Sequence, residues 1–241
     1  MTGTFLLDGL ANLRDVGGIP AGDRTIRPGV LYRADSLAAL TPAGRAQLAA
    51  SSIGAVVDMR SSTEVLASPG WAPDAPHPRL HPMPMLEGAV QQLATMPTLE
   101  GVYRDLLQGA GEQFVQVARL VVETAPEGVL VHCTAGKDRT GVATALLLLA
   151  VGADREAVLA DYALSSDNLD GPWMERTSAA VRAAGAELTP ALVELLGGTD
   201  PVGLDRVLAE VEEQHGSVLG YLRAHGLTDA EAEGLQERLL A

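Results

Sequence analysis

The sequence predicts an α/β fold, with a central, mainly parallel β-sheet and helices on both faces. Short apolar runs alternate with helical patterns over roughly the first 150 residues. The longest apolar run, 142–151, reads as a buried helix, and from residue 154 onward the pattern is almost entirely helical. Because parallel strands are joined by crossover helices, such alternation favours a parallel sheet. The C-terminal half is therefore expected to be helical.

The individual elements follow from local signals. Apolar runs of strand length predict strands at 30–33, 53–58 and 129–132, with a weaker edge strand at 80–83 in a proline-rich connection. Thr41 followed by Pro42 predicts a helix start, as a capping residue and a first helical residue. The predicted helices are 42–50, 113–123, 142–151, 154–164, 172–184, 190–196, 201–214, 218–224 and 229–240.

Composition narrows the class of protein. A chain of 241 residues with 47% hydrophobic content is expected to form a single domain, 1–241. The net charge of −14 argues against general binding of nucleic acid or of anionic membranes, which requires a basic face. The N-terminus lacks the features of a signal peptide, and the run 142–151 is too short to span a bilayer, so we expect a cytoplasmic protein without stable membrane insertion.

The most informative segment contains the only cysteine of the chain. It reads His132-Cys133-Thr134-Ala135-Gly136-Lys137-Asp138-Arg139-Thr140 and lies between an apolar strand and an apolar helix. A loop of this length can surround one tetrahedral anion with its backbone N–H groups, aided by the positive end of the helix and by the guanidinium of Arg139. The same positive field would stabilise a thiolate at Cys133. The segment predicts a nucleophile that attacks phosphate.

Three other interpretations fit less well. A buried structural cysteine would not need the polar residues that follow Cys133, because these are costly to bury without an anion. A nucleotide-binding loop would require a glycine at Val131 and a serine or threonine at Asp138. A sulfur-transferase also uses one loop cysteine, but has no evident need for an arginine six positions later.

The segment 132–140 resembles the signature of the cysteine-dependent protein tyrosine and dual-specificity phosphatases, and Lys137-Asp138 is similar to the atypical bacterial group among them. The resemblance covers almost the whole chain. Further similar motifs occur in order at 12–18, 27–35, 57–65, 160–162 and 215–222. The resemblance implies the phosphatase fold, a phosphocysteine intermediate, no cofactor, and a helical lid at 167–198. It also implies activity on phosphotyrosine, with phosphoserine/threonine and phosphoinositides as further substrates.

The hydrolysis of a phosphate monoester assigns a role to most residues of the loop. Cys133 is the predicted nucleophile, and Arg139 with the N–H groups of 134–139 binds the phosphate oxygens. We expect Thr140 to donate a hydrogen bond to the sulfur, to cap the helix, or both. His132 points to the other face of its strand, so we expect it to orient the loop through ring hydrogen bonds.

Two aspartates, Asp58 and Asp138, are candidates for the general acid. Asp58 ends a strand expected beside the catalytic strand, and the resemblance implies an acid at this position. Asp138, inside the loop, can serve as acid or base, or can pair with Lys137 or Arg60 to hold the loop in shape. Asp74 lies in only a partial echo of a tryptophan-proline-aspartate loop. We favour Asp58 as acid and Asp138 as base or second acid, with the order left open.

The remaining predictions concern partners and ligands. Lys137 offers a second cation, which suits the extra phosphates of an inositol headgroup. Arg60, like Arg14 and Asp15, is expected to brace the loop. His77 and His81 lack the further ligands of a metal site, so no metal is predicted. The alternative function is a phosphate-binding module that hydrolyses slowly. The expected partner is a phosphorylated protein or a phosphoinositide, and the oligomeric state stays open.

Overall fold

The computed structural model describes residues 6–71, 77–87 and 98–241. Within these ranges seven strands form a five-stranded sheet and a separate hairpin. The strands are β1 (Arg14–Asp15), β2 (Pro20–Ala21), β3 (Arg24–Thr25), β4 (Leu31–Ala34), β5 (Ile53–Asp58), β6 (Arg79–Pro82) and β7 (Gly128–His132). The order in the large sheet is β1-β4-β7-β5-β6, with β4, β7, β5 and β6 parallel and β1 antiparallel. This confirms the predicted mainly parallel sheet.

Eleven helices are described. They are α1 (Pro42–Ala49), α2 (Ser62–Ala67), α3 (Leu99–Gly109), α4 (Gly111–Glu123), α5 (Asp138–Ala150), α6 (Arg155–Leu169), α7 (Pro172–Ala183), α8 (Pro190–Gly197), α9 (Pro201–His215), α10 (Val218–Ala224) and α11 (Asp229–Leu239). Two of them, α2 and α3, are additions to the predicted set. No helix in the described ranges is long and apolar enough to cross a bilayer.

Helix α3 was not predicted, although its sequence carries two signals of a helix. Its buried residues recur at helical spacing: Leu99, Tyr103, Leu106 and Leu107. Thr98 caps the first turn by accepting a hydrogen bond from the N–H of Gly101 at 3.1 Å. Both the period and the cap are readable in the sequence.

The sheet separates two apolar layers that together position the loop. The larger layer contains Val129 and Val131 from β7, Cys133 directly after it, and the apolar residues of α5. The smaller layer lies on the other face and contains Leu130 together with Leu48 of α1. Since β7 is paired on both sides and α5 packs directly behind it, the strand, the loop and the helix form a rigid unit. The loop emerges at the carboxyl edge of the parallel strands, as predicted.

Candidate active site

The loop 133–137 joins β7 to α5 in the middle of the sheet edge. Cys133 is the first residue beyond β7 and is only 2% exposed. Side chains alternate between the two faces of a strand, so Cys133 points to the layer that contains α5 and His132 points to the other. His132 is fully buried, and its Nδ1–H donates to the carbonyl oxygen of Cys133 at 3.1 Å. This contact is the kind of orienting bond expected of His132.

The backbone of the loop has its carbonyl groups bound and its N–H groups free. The carbonyl of Thr134 accepts a hydrogen bond from the N–H of Ser36 at 3.0 Å, and that of Lys137 accepts from Gly141 at 2.6 Å. Within the described part of the chain, no backbone N–H from 134–139 donates to an acceptor. Unpaired amides at a helix N-terminus form an anion-binding site. The residues predicted to bind phosphate, including Ala135, all lie in this segment.

Gly136 makes the tight curl of the loop possible. Its φ is +67°, in the left-handed region that favours glycine. A Cβ atom at this position would lie 2.3 Å from the carbonyl oxygen of Ala34 on β4. Any side chain at this position would therefore push the loop away from the sheet.

Arg139 lies on the first turn of α5, and its guanidinium is paired with Glu64 of α2. The pair is bidentate, with Nη1 to Oε2 at 2.6 Å and Nη2 to Oε1 at 2.7 Å. Burial alone would raise the pKa of the Glu64 carboxyl, but the hydrogen bonds and charge of Arg139 outweigh it and hold the pKa at about 2. Glu64 is therefore ionised at neutral pH and orients the guanidinium beside the loop.

Glu64 is the functional residue that the sequence analysis did not assign. It belongs to a capping box in which its Oε2 accepts the N–H of Ser61 at 2.7 Å and the Ser61 hydroxyl accepts the N–H of Glu64 at 3.3 Å. The hydroxyl of Thr134 also donates to its Oε1. One carboxylate thus joins α2 to both ends of the loop. The capping box is readable in the sequence, whereas the pairing across 75 residues is not.

Asp58 lies at the carboxyl end of β5, in register with His132. The two side chains therefore share a face, the one opposite Cys133. Arg60 holds the carboxylate with Nε to Oδ1 at 2.9 Å and Nη2 to Oδ2 at 2.6 Å. Burial would raise the pKa of Asp58, but the hydrogen bonds of Arg60 and nearby positive charge outweigh it and lower the pKa. An acid must hold a proton, so this geometry counts against the acid role predicted for Asp58.

Arg60 contacts residues next to the loop, and its role as a brace stays a prediction. Beyond Asp58, its Nη1 donates to the hydroxyl of Ser36 at 3.1 Å and to the carbonyl of Ser68 at 2.7 Å. Ser36 in turn binds the carbonyl of Thr134 through its N–H. Arg60 is therefore linked to the loop through Ser36 and is itself buried.

Asp138 is the first residue of α5 and accepts a hydrogen bond from Lys137 Nζ at 2.9 Å. Its side chain is 22% exposed, whereas the side chain of Lys137 is fully buried. Of the two partners considered for Asp138, the structure thus selects Lys137. The ammonium of Lys137 is turned to Asp138, which differs from the expectation of a second cation directed at substrate. A buried lysine needs a charged partner, and Asp138 is the adjacent one.

Thr140 differs from its prediction. It is fully buried, and its hydroxyl has no hydrogen-bond partner in the parts of the chain that the structure describes. The helix N-cap position is Lys137, without a side-chain cap. The expected bond from Thr140 to the sulfur and the expected helix cap are therefore both absent among the described residues; Thr140 is the third residue of α5, three positions after the N-cap residue Lys137.

Three further predictions concern Asp74, a metal site and a lid. Asp74 lies outside the described residues. No group of three or more His, Cys, Asp or Glu side chains able to hold a metal ion occurs within 6–71, 77–87 and 98–241. In the segment 167–198, α7 and α8 bury little, and Gly171 before α7 has a φ of +65°. A lid role for this segment stays a prediction.

Asp35, directly after β4, carries an unusual buried carboxylate. Its Oδ1 accepts the N–H groups of Ala11 at 3.0 Å and of Asn12 at 2.9 Å, but its Oδ2 has no partner among the described residues. Burial raises the pKa of Asp35 to about 6. Between about pH 4 and pH 6 the folded protein therefore keeps a proton that the unfolded chain releases, and stability falls as pH rises through this window.

We expect the Asp35→Asn substitution to remove this dependence. The free energy of unfolding is measured with urea from pH 4 to pH 7. Over this range the difference between variant and wild type should shift in favour of the variant by about 3 kcal/mol, the equivalent of two pKa units. The difference between the two proteins isolates Asp35, since all other groups titrate in both. A difference that stays constant over this range would show that Asp35 titrates normally.

The sequence is similar to those of known phosphatases. Residues 5–241 match the model of the tyrosine phosphatase family. The chain is 32% identical to the triple specificity protein phosphatase PtpB of Mycobacterium tuberculosis, covering 97% of this chain and 98% of that protein. It is 34% identical to a putative tyrosine-protein phosphatase of Cupriavidus necator, covering 90% and 81%. Among solved structures, TpbA of P. aeruginosa matches with a TM-score of 0.38 and 19% identity, over 78% of this chain and 91% of TpbA.

Proposed function

Since the chain belongs to the tyrosine phosphatase family, and is a phosphatase of the protein-tyrosine phosphatase type, we propose that it hydrolyses phosphate monoesters through a phosphocysteine intermediate on Cys133. One observation carries the proposal. The loop after Cys133 presents a run of unpaired backbone N–H groups, closed by the guanidinium of Arg139, around the position that one phosphate would occupy. Such a set of donors stabilises the oxygens of a phosphoryl group in flight.

In the first step, the Cys133 thiolate attacks phosphorus, the phosphorus–oxygen bond to the leaving group breaks, and the leaving oxygen takes a proton from an acid. In the second step, water attacks the phosphocysteine, its proton passes to the same carboxylate, and the thiolate is released with inorganic phosphate. The loop amides and Arg139 bind the same three phosphoryl oxygens in both steps. No cofactor enters this sequence.

We propose Asp138 as the group that gives and then accepts this proton. Exposure and the face of the sheet support it over Asp58. The Asp138 side chain is 22% exposed at the start of α5, whereas Asp58 is buried on the face opposite Cys133; both carboxylates are ion-paired, Asp58 with Arg60 and Asp138 with Lys137. Lys137 would hold Asp138 in place through its bond to Oδ1. Asp58 then serves to fix Arg60.

The substrate class follows from the relatives in part. Their names include tyrosine-protein phosphatase and triple specificity protein phosphatase. We propose phosphotyrosine as the principal substrate, with phosphoserine/threonine and phosphoinositides as further ones. The burial of Lys137 weakens the argument for inositol headgroups, because no free ammonium faces the loop unless the bond to Asp138 opens.

Turnover of nitrophenyl phosphate between pH 5 and pH 8 tests the proposal. The wild type should release nitrophenol, and orthovanadate should inhibit it competitively, because vanadate resembles the transition state. A protein that binds vanadate without hydrolysing nitrophenyl phosphate at any pH would instead be the slow phosphate-binding module.

A further inference from the structure

We infer that Asn12 is a positioning residue that aims two phosphate-binding amides, those of Gly136 and Lys137, into the loop. The inference rests on the proposed function, because it concerns the same anion site. Asn12 lies 123 residues before Ala135 and is fully buried. It therefore approaches the loop from behind, from the side remote from solvent.

The contacts of Asn12 with the loop are both to carbonyl oxygens. Its Nδ2 donates to the carbonyl of Ala135 at 3.0 Å and to that of Gly136 at 3.1 Å. In a trans peptide the C=O and the following N–H point in opposite directions. A carbonyl of Ala135 drawn outward therefore turns the N–H of Gly136 inward, and a carbonyl of Gly136 drawn outward turns the N–H of Lys137 inward.

The orientation of the Asn12 amide is itself fixed by its neighbours. Its Oδ1 accepts hydrogen bonds from Arg14 Nη1 and, at 3.1 Å, from Asn168 Nδ2. Both partners of the oxygen are donors, and both partners of the nitrogen are carbonyls, so the reversed amide would place its NH2 against two donors and its oxygen against two acceptors. The Asn12 backbone is anchored as well, by Asp35 Oδ1.

The two peptide groups depend on Asn12 to different degrees. The carbonyl of Gly136 has a second donor in Arg33 Nη2 at 3.0 Å. For the carbonyl of Ala135, Asn12 is the one hydrogen-bond donor within the described residues. Loss of the Asn12 amide should therefore disturb the N–H of Gly136 most and that of Lys137 less.

The test uses Asn12→Asp, which keeps the shape of the side chain but removes both N–H donors. We expect kcat for nitrophenyl phosphate to fall by about 10- to 100-fold, somewhat less than the loss of an oxyanion donor itself, while KM changes less than about threefold. The Kd for orthovanadate should weaken by a similar factor to kcat. In amide NMR spectra, the shift of Gly136 on adding vanadate should shrink more than that of Lys137.

Tyr221→Phe is the matched control. It also removes one buried hydrogen bond, from the tyrosine hydroxyl to the carbonyl of Leu107 at 2.7 Å, and among the described residues neither Tyr221 nor Leu107 is hydrogen-bonded to the loop. A general loss of stability would affect both variants alike, whereas the split between kcat and KM and the change at Gly136 belong to Asn12 alone. If Asn12→Asp does not fold, Asn12→Ala replaces it with the same expectations.

The inference is overturned if a folded Asn12 variant keeps kcat and the vanadate Kd within about twofold of the wild type, or if its Gly136 amide responds to vanadate as in the wild type. Failure of the proposed function would look different. If the wild type hydrolyses nothing, the proposed function fails. The NMR titration with inorganic phosphate still tests the inference, because it reports on the direction of the two amides.

Discussion

Cys133→Ser should abolish turnover of nitrophenyl phosphate while leaving anion binding nearly intact. Removal of a catalytic nucleophile costs on the order of 10⁴-fold or more in kcat. A serine hydroxyl is not ionised at neutral pH and is a weaker nucleophile than a thiolate. The phosphate oxygens, by contrast, are bound by the loop amides and by Arg139, neither of which is altered. The measurements are kcat by steady-state assay and the Kd of inorganic phosphate by calorimetry.

The contrast between the two measurements gives this prediction its value. The Kd of phosphate should stay within a few-fold of the wild type, since the bidentate pair of Arg139 and Glu64 and the bound carbonyls of the loop hold the site in shape. Residual turnover above about a hundredth of the wild-type kcat would mean that another group attacks phosphorus. Cys133→Ala, which has no hydroxyl, should behave in the same way.

Asp138→Asn should show the second-largest loss, and a selective one. General acid catalysis contributes about 10²- to 10⁴-fold, and its share grows with the basicity of the leaving oxygen. Nitrophenolate leaves readily without a proton, whereas the alkoxide of serine does not. The kcat for a phosphoserine peptide should therefore fall by about 10²-fold or more, and that for nitrophenyl phosphate by much less.

Asp58→Asn is the matched control, because it neutralises the other candidate carboxylate. It breaks the buried pair with Arg60, so its expected effect is a loss of stability and a similar, modest loss of kcat on both substrates. A selective loss on phosphoserine in Asp58→Asn, together with equal losses in Asp138→Asn, would return the acid role to Asp58.

The case of Asp58 also shows where sequence reasoning reached its limit. The strand, its end and its place beside β7 were predicted correctly. The face of the sheet on which Asp58 lies was not predicted, and the argument used for His132 and Cys133 applies to Asp58 only once the register is known. Register depends on pairing between strands more than 70 residues apart, which a single sequence does not state. The acid was therefore assigned by proximity along the sheet edge rather than by face.

Glu64 and Asn12 had local signals whose wider meaning was hidden. Glu64 completes a capping box, and Asn12 lies in one of the motifs that carry the family resemblance. Their contacts with Arg139 and with Ala135 depend on how distant segments pack at the sheet edge. The loop itself, by contrast, was predictable, because nucleophile, glycine, arginine and helix start are contiguous. Local chemistry is readable in this sequence, whereas the long-range contacts of Glu64 and Asn12 that orient it are not.

The most direct test of the account is to trap the intermediate. The wild type is mixed with substrate carrying labelled phosphorus, quenched within milliseconds into alkaline denaturant, which preserves phosphocysteine, and digested. We expect the label on the peptide that contains Cys133, forming and decaying at rates compatible with kcat, and no labelled peptide from Cys133→Ser. Label on any other residue would contradict a phosphocysteine at Cys133. So would turnover with no labelled peptide under conditions in which the leaving group is released in a burst.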